Sequence, residues 1–167
     1  MDTTNTTTLE KHELFTRWMN EAYRMETAMM PILELHINDA QGHDKLQAKL
    51  QDHLLATHHH ADLVRSCLER LGEAGPADGG AANRLENAHA VANGVSGDLL
   101  IKDGLNDFSA EQYEVATYKA LITAARDLGQ MECEKAFEEI LNDEQEMADW
   151  LDVNLPLLVE QTIRHAY

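Results

Sequence analysis

The chain has 167 residues, 30 of them Asp or Glu against 13 Lys and Arg, for a formal net charge of −17 at pH 7. That length suits one domain with room for a real core, and the charge argues against nucleic acid or an anionic membrane surface as partner. Cys67 and Cys133 are too few for a disulfide framework, no apolar run is long enough to span a bilayer, and the polar opening MDTTNTTTLEKHE lacks a signal core, so a cytoplasmic protein is expected.

Pro is sparse and Gly clusters between Gly72 and Gly104, while Ala, Leu, Glu, Gln and Met dominate elsewhere, which favours an all-α protein. The first helix is expected from about Thr8 to Ile37, with Pro31 kinking its last part. On one face it carries Phe15, Met19, Ala22, Met29, Met30, Leu33 and Ile37, and in their midst Glu26. The methionines sit at core spacing and read as packing rather than as soft metal ligands.

A turn near 38–43 leads into a second helix. It is expected to open at Asp44, paired with Gln47 as a reciprocal cap, and to end at Leu71 before Gly72. Its inward face is centred on Thr57, with Leu46, Leu50, Ala61, Val64, Leu68 and Leu71. His53 and His60 lie within about 60° of that centre, His58 on the flank, and His59 towards solvent. The run His58-His59-His60 is therefore not one site, because consecutive helical residues diverge. His53 and His60 are roughly 10 Å apart along the axis, too far to grip one ion easily.

Residues 72–97 read as a flexible crossover with a short helix near Ala81–Ala92. The third helix is clear from Ser109, capped with Gln112, to Leu128; Gly104 weakens an earlier start near Gly97. Glu114 shares its face with Tyr118, Leu121, Ala125 and Leu128, and Glu111 lies one turn before it, about 60° off. The fourth helix should run from about Met131 to Leu155, with Pro156 ending or kinking it. Along it Glu144 falls among Cys133, Phe137, Ile140, Leu151 and Leu155. Both cysteines lie on apolar faces and read as buried thiols.

Two short-looped hairpins joined by one long connection imply a ferritin-like four-helix bundle with the second and third helices parallel. Residues equidistant from a hairpin turn lie at the same height. Glu26 and Thr57 are each about 15 residues, roughly 23 Å, from the first turn, and Glu114 and Glu144 about as far from the second. Three carboxylates should meet at mid-bundle. Each unpaired buried charge costs several kcal/mol, and the common compensator in such bundles is a metal ion. The second helix can offer it His60, or else His53. Tyr23, Tyr113 and above all Tyr118 could hydrogen-bond to the carboxylates.

With these residues in place the chain resembles the YciE/YciF family of bacterial stress-associated ferritin-like proteins. The likeness lies in LFTRWMNEAYRMETAMM with its Leu-Phe, Tyr23 and Glu26; in HLLATHHH with His53 and His60; in EQYEVATY with Glu111, Glu114 and Tyr118; and in Glu144. It implies a ferritin-like fold and a carboxylate-bridged metal site. The chain departs from the pattern at Ala56, where a Glu usually precedes the Thr, and at Met147, where ferritin-like di-metal sites carry His; Pro31 also stands early. The expected site is lopsided, drawn from Glu26, His53, His60, Glu111, Glu114 and Glu144. Its metal is iron or manganese, with one or two ions, and it would handle peroxide, dioxygen or the metal itself in a stress response. The alternatives are a non-catalytic structural bundle whose inward glutamates are protonated, and a zinc or copper binder using surface histidines. A homodimer is expected in either of the first two cases.

Overall fold

Apolar residues recurring at helical spacing become four long helices in the computed structural model, which describes residues 3–73 and 99–165. They are α1 (Thr3–Asp39), α2 (Asp44–Arg70), α3 (Leu99–Asp127) and α4 (Met131–His165). No strand occurs among the described residues. The short helix expected near 81–92 lies outside them.

Two apolar clusters give the topology. In one, Phe15 and Met19 of α1 pack with Val64 and Leu68 of α2, Leu121 and Ala125 of α3, and Phe137 and Ile140 of α4. In the other, Met29 and Leu33 meet Leu50, Leu100, Ala110, Met147 and Leu151. From the second cluster to the first, residue numbers rise along α2 and α3 and fall along α1 and α4. So α2 and α3 run parallel, antiparallel to the other two, as the long crossover requires. α1 packs on α2 and α3, α4 packs on the same two, and α2 and α3 lie across the diagonal. The layer between the two clusters is where the glutamates fall.

Several helix ends differ from the sequence expectation. α3 begins ten residues before Ser109 and passes through Gly104, so Ser109 lies inside the helix and caps nothing. Leu100, Asp103, Gly104 and Asp107 are buried along that added stretch, so packing outweighs the weak helix propensity of glycine. A Cβ on Gly104 would stand 2.9 Å from Leu155 Cδ1, so α3 and α4 approach closely there. The Asp44–Gln47 cap does not form either. His43 is the N-cap without a side-chain bond, and Gln47 donates instead to the Ile37 carbonyl at 3.1 Å.

Neither proline ends its helix: α1 runs through Pro31 and α4 continues through Pro156 to His165. Both prolines face solvent, where water can take up the carbonyl freed four residues earlier. The ends of α2 and α3 do follow expectation. Gly72 and Gly129 adopt φ of 81° and 68°, and the amides of Glu73 and Gln130 reach back to the Leu68 and Ala125 carbonyls.

Candidate metal centre

Each helix brings its inward polar residue to the middle layer on a stripe that is otherwise apolar. Glu26, Glu114 and Glu144 are all buried, together with Glu111, His53, His60 and Thr57. Two groups form. His53, Glu111, Glu114 and Glu144 each offer one ligand atom, all within 4.8 Å of one another, and so do Glu26, His60 and Glu144. Glu144 belongs to both. A buried His/Glu cluster able to hold a metal ion is thus built into the bundle.

The two histidines serve different groups. His53 Nε2 lies 3.0 Å from Glu111 Oε1 and 3.7 Å from Glu144 Oε2. His60 Nδ1 lies 2.8 Å from Glu144 Oε1 and 3.6 Å from Glu26 Oε2. The sequence offers these rings as alternatives for one ion; the helix instead places both inward, seven residues apart, one in each group. Thr57 between them turns its hydroxyl back to the His53 carbonyl at 2.9 Å and offers no ligand. Met147, standing in the histidine position of the fourth helix, packs in the apolar cluster, so α4 contributes Glu144 alone to both groups. The groups are unequal, four residues against three. His58 and His59 are exposed, and His59 meets Glu139 at the surface.

Two residues hold these ligands in place. Tyr118 donates a hydrogen bond to Glu26 Oε1 across α1 and α3. Its partner is Glu26 rather than Glu114, one turn away on its own helix. His60 Nε2 lies 3.1 Å from Asp143 Oδ2, which leaves Nδ1 facing the carboxylates. A carboxylate behind an imidazole fixes the ring and its tautomer, as it does for histidines that ligate metals. Asp143 is not legible in the sequence. Its only signal is adjacency to Glu144, which in a helix points it about 100° away.

Electrostatics at the cluster follow from burial. Burial raises the carboxyl pKa of Glu26 and Glu114, that of Glu111 to about 8 and that of Glu144 to about 7; the neighbouring acids add to this in every case. For His60 burial alone would favour the neutral ring, but Glu144 and Glu26 outweigh it and hold the imidazolium up to about 11. His53 moves the other way, lowered first by burial.

Beyond the cluster α3 adds a second buried polar group at the Leu100 end. His36 Nδ1 is 2.7 Å from Asp107 Oδ1 and its Nε2 is 3.4 Å from Asp103 Oδ1. Burial opposes charge on His36, yet the hydrogen bond and charge of Asp107 raise its pKa. The spacing Asp103, Asp107, Glu111 could have signalled this strip, since residues four apart share a helix face.

The donor set fits a metal ion. Among the described residues Glu26 Oε2, Glu114 Oε1, Glu111 Oε2 and Glu144 Oε2 are buried without a hydrogen bond, while Glu111 Oε1, Glu144 Oε1 and His60 Nδ1 have only the imidazole–carboxylate contacts given above. Native proteins rarely leave so many polar atoms unsatisfied in one place. Carboxylate oxygens with one imidazole in each group suit a hard or borderline cation.

A family model described as "Domain of unknown function (DUF892)" matches residues 10–164, nearly the whole chain. The chain belongs to this DUF892 family. Among solved structures it is similar to protein XCC3681 from Xanthomonas campestris pv. campestris, at 25% identity and a TM-score of 0.81 over 94% of this chain and 98% of that one. It is also similar to YcfI from Rhodopseudomonas palustris, at 23% identity and TM-score 0.73 over 85% and 92% of the two chains. The stress protein YciF of E. coli matches at 19% identity and TM-score 0.73 over 87% and 96%. The resemblance read from the sequence therefore holds, and these solved structures share the bundle fold.

Replacing Tyr118 by Phe tests how firmly the cluster is held. The ring would keep its packing on Phe137, 6.0 Å between centroids, while Glu26 Oε1 loses its donor. The expected cost is about 1–3 kcal/mol in urea unfolding of the metal-free protein. A loss indistinguishable from zero would mean that Tyr118 does not support Glu26.

Proposed function

We propose that the cluster binds iron or manganese, at one or two positions joined through Glu144, and that the protein handles peroxide, dioxygen or the metal itself in an oxidative or general stress response. The observation that supports this best is the set of buried ligand atoms converging from all four helices, several of them carboxylate oxygens without a hydrogen bond. Protonation could remove their charge, as the structural-bundle reading requires. It would still leave several of these oxygens, among them Glu26 Oε2 and Glu114 Oε1, without a partner, at about 1–3 kcal/mol per group. One cation satisfies several of these atoms together.

In this reading Glu26, His60 and Glu144 hold one ion, and His53, Glu111, Glu114 and Glu144 the other. Bound iron or manganese would supply one-electron redox chemistry towards a small oxidant. The chain does the rest. Asp143 accepts the Nε2 proton of His60 and keeps Nδ1 turned inward, Tyr118 steadies Glu26, and the apolar clusters on either side keep bulk water out. That YciF is a stress protein supports the physiological part of the proposal. We infer in addition a cytoplasmic homodimer that binds neither nucleic acid nor membrane, in keeping with the net charge of −17; no helix among the described residues is long and apolar enough to cross a bilayer.

Elemental analysis of untagged protein, beside a chelator-treated control, tests the reading. Iron or manganese should co-purify and leave on chelation. Titration of the stripped protein should then show two unequal affinities. His53→Ala should weaken the four-residue position and His60→Ala the three-residue one, each by at least the ten- to hundredfold typical of lost supporting groups. Two equivalent tight ions, or variants that bind as tightly as wild type, would overturn the assignment; absence of any specific binding would favour the structural bundle.

A further inference from the structure

Away from the metal-binding layer, the two cysteines of the chain share one place in the core. Cys67 lies near the end of α2 and Cys133 is the third residue of α4, and antiparallel packing brings those two helix ends to the same end of the bundle. Both thiols are free and buried in the cluster around Phe137 and Leu68. They are close enough for their side chains to interact. We propose that Cys67 and Cys133 form a redox-active dithiol that hydrogen peroxide closes into a disulfide joining α2 to α4.

The surroundings divide the roles. Cys133 sits in the first turn of α4, where the positive end of the helix dipole favours a thiolate. Its thiol pKa is lowered, first by contact with Cys67 and then against burial by Arg70, with Glu132 opposing. Cys67 is raised by contact with Cys133 and by burial, and stays protonated. Its place at the start of α4 makes Cys133 the attacking sulfur: its thiol gives up a proton, the thiolate takes one oxygen of the peroxide as a sulfenic acid, and the O–O bond breaks to release hydroxide, which takes up that proton and leaves as water. The Cys67 sulfur then displaces the sulfenic hydroxyl, its own proton completing a second water, so two thiols and one peroxide yield one disulfide and two waters.

The consequence lies in which halves become joined. Glu26, His53 and His60 belong to the α1–α2 hairpin, and Glu111, Glu114 and Glu144 to the α3–α4 hairpin. Chain connectivity between the hairpins runs through residues 71–98. A Cys67–Cys133 bond adds a second covalent link, so the oxidised chain is clasped in the assembled arrangement. This inference uses neither the metal nor its ligands, and it can fail or stand apart from the proposed function.

Chelator-treated full-length protein would be given equimolar peroxide, denatured in an alkylating reagent and weighed intact. The expected result is a loss of about 2 Da with no thiol alkylated. A tryptic peptide covering 66–70 should be linked to one covering 127–135, and the melting temperature should exceed that of the reduced chain. The linked peptide should be missing in Cys67→Ser, where Cys133 should instead carry added oxygen. Two alkylatable thiols after peroxide, disulfides between chains, or added oxygen without the linked peptide in wild type would overturn the proposal, and an unchanged melting temperature would overturn the clasp.

Discussion

Glu144→Ala should abolish the stabilisation expected from bound iron or manganese, because that residue alone belongs to both ligand groups. At a hundredfold excess over its dissociation constant an ion adds about 2.7 kcal/mol to the folded state. For a chain of this size that corresponds to a rise of about 5–10 °C in Tm. Removing Glu26 or Glu114 spoils one group; removing Glu144 spoils both, leaving three residues on one side and two on the other. Without metal the same variant should change little. It relieves repulsion with Glu26, Glu111 and Glu114 while depriving His60 and His53 of a carboxylate. The signature is thus a metal-dependent difference between wild type and variant, read by calorimetry with Mn²⁺ or with EDTA. Glu139→Ala, which breaks only the surface contact to His59, should keep the full shift. Should Glu144→Ala keep it as well, Glu144 is not the shared ligand; a wild type that melts identically with Fe²⁺, Mn²⁺ and EDTA would leave the structural bundle as the better account.

Why the middle layer is legible in the sequence, and its surroundings less so, follows from what periodicity encodes. A carboxylate among core-spaced leucines and methionines is visible from spacing alone, and counting from the turns sets its height, so Glu26, Glu114 and Glu144 fall into one layer on the sequence alone. The two hairpins and the crossover follow from loop lengths. Azimuth near a stripe's edge is harder. His53 and His60 lie about 40° and about 60° from Thr57 on the same side at 100° per residue, and only the positions of α3 and α4 decide that Glu111 receives one ring and Glu144 the other. Asp143 and the His36–Asp107 pair depend on neighbours 83 and 71 residues away in sequence, which local pattern does not record. The start of α3 comes earlier than expected for a related reason: the sequence weighs Gly104 as a weak helix residue, whereas in the bundle it allows close contact with Leu155.

The raised carboxyl pKa values set a second large expectation, that the metal-free protein loses stability as pH rises from about 5 to 8.5. Glu111 and Glu144 titrate near 4.5 when unfolded but at about 8 and about 7 in the fold, and Glu26 and Glu114 are raised as well. Between those limits the folded chain binds more protons than the unfolded one, so stability falls with rising pH. His60 acts in the same direction, because the charge that favours its folded form is lost only as pH climbs from 6.5 towards about 11. His53, with a lowered value, opposes them, but only up to about 6.5. A tenfold difference in proton affinity between the folded and unfolded chain is worth about 1.4 kcal/mol, so the cluster should cost a few kcal/mol across the range. Metal reverses the trend: it needs the carboxylates ionised and displaces their protons, so its stabilising effect should be small at pH 5 and large at pH 8. Melting curves in EDTA and in Mn²⁺ across that range measure both slopes. Glu111→Gln, which cannot ionise, should flatten the EDTA slope and separate the cluster's share from the general repulsion of an acidic surface. A metal-free protein whose Tm is flat or rising from pH 5 to 8.5 would mean that these glutamates are not held in a buried, mutually repelling layer.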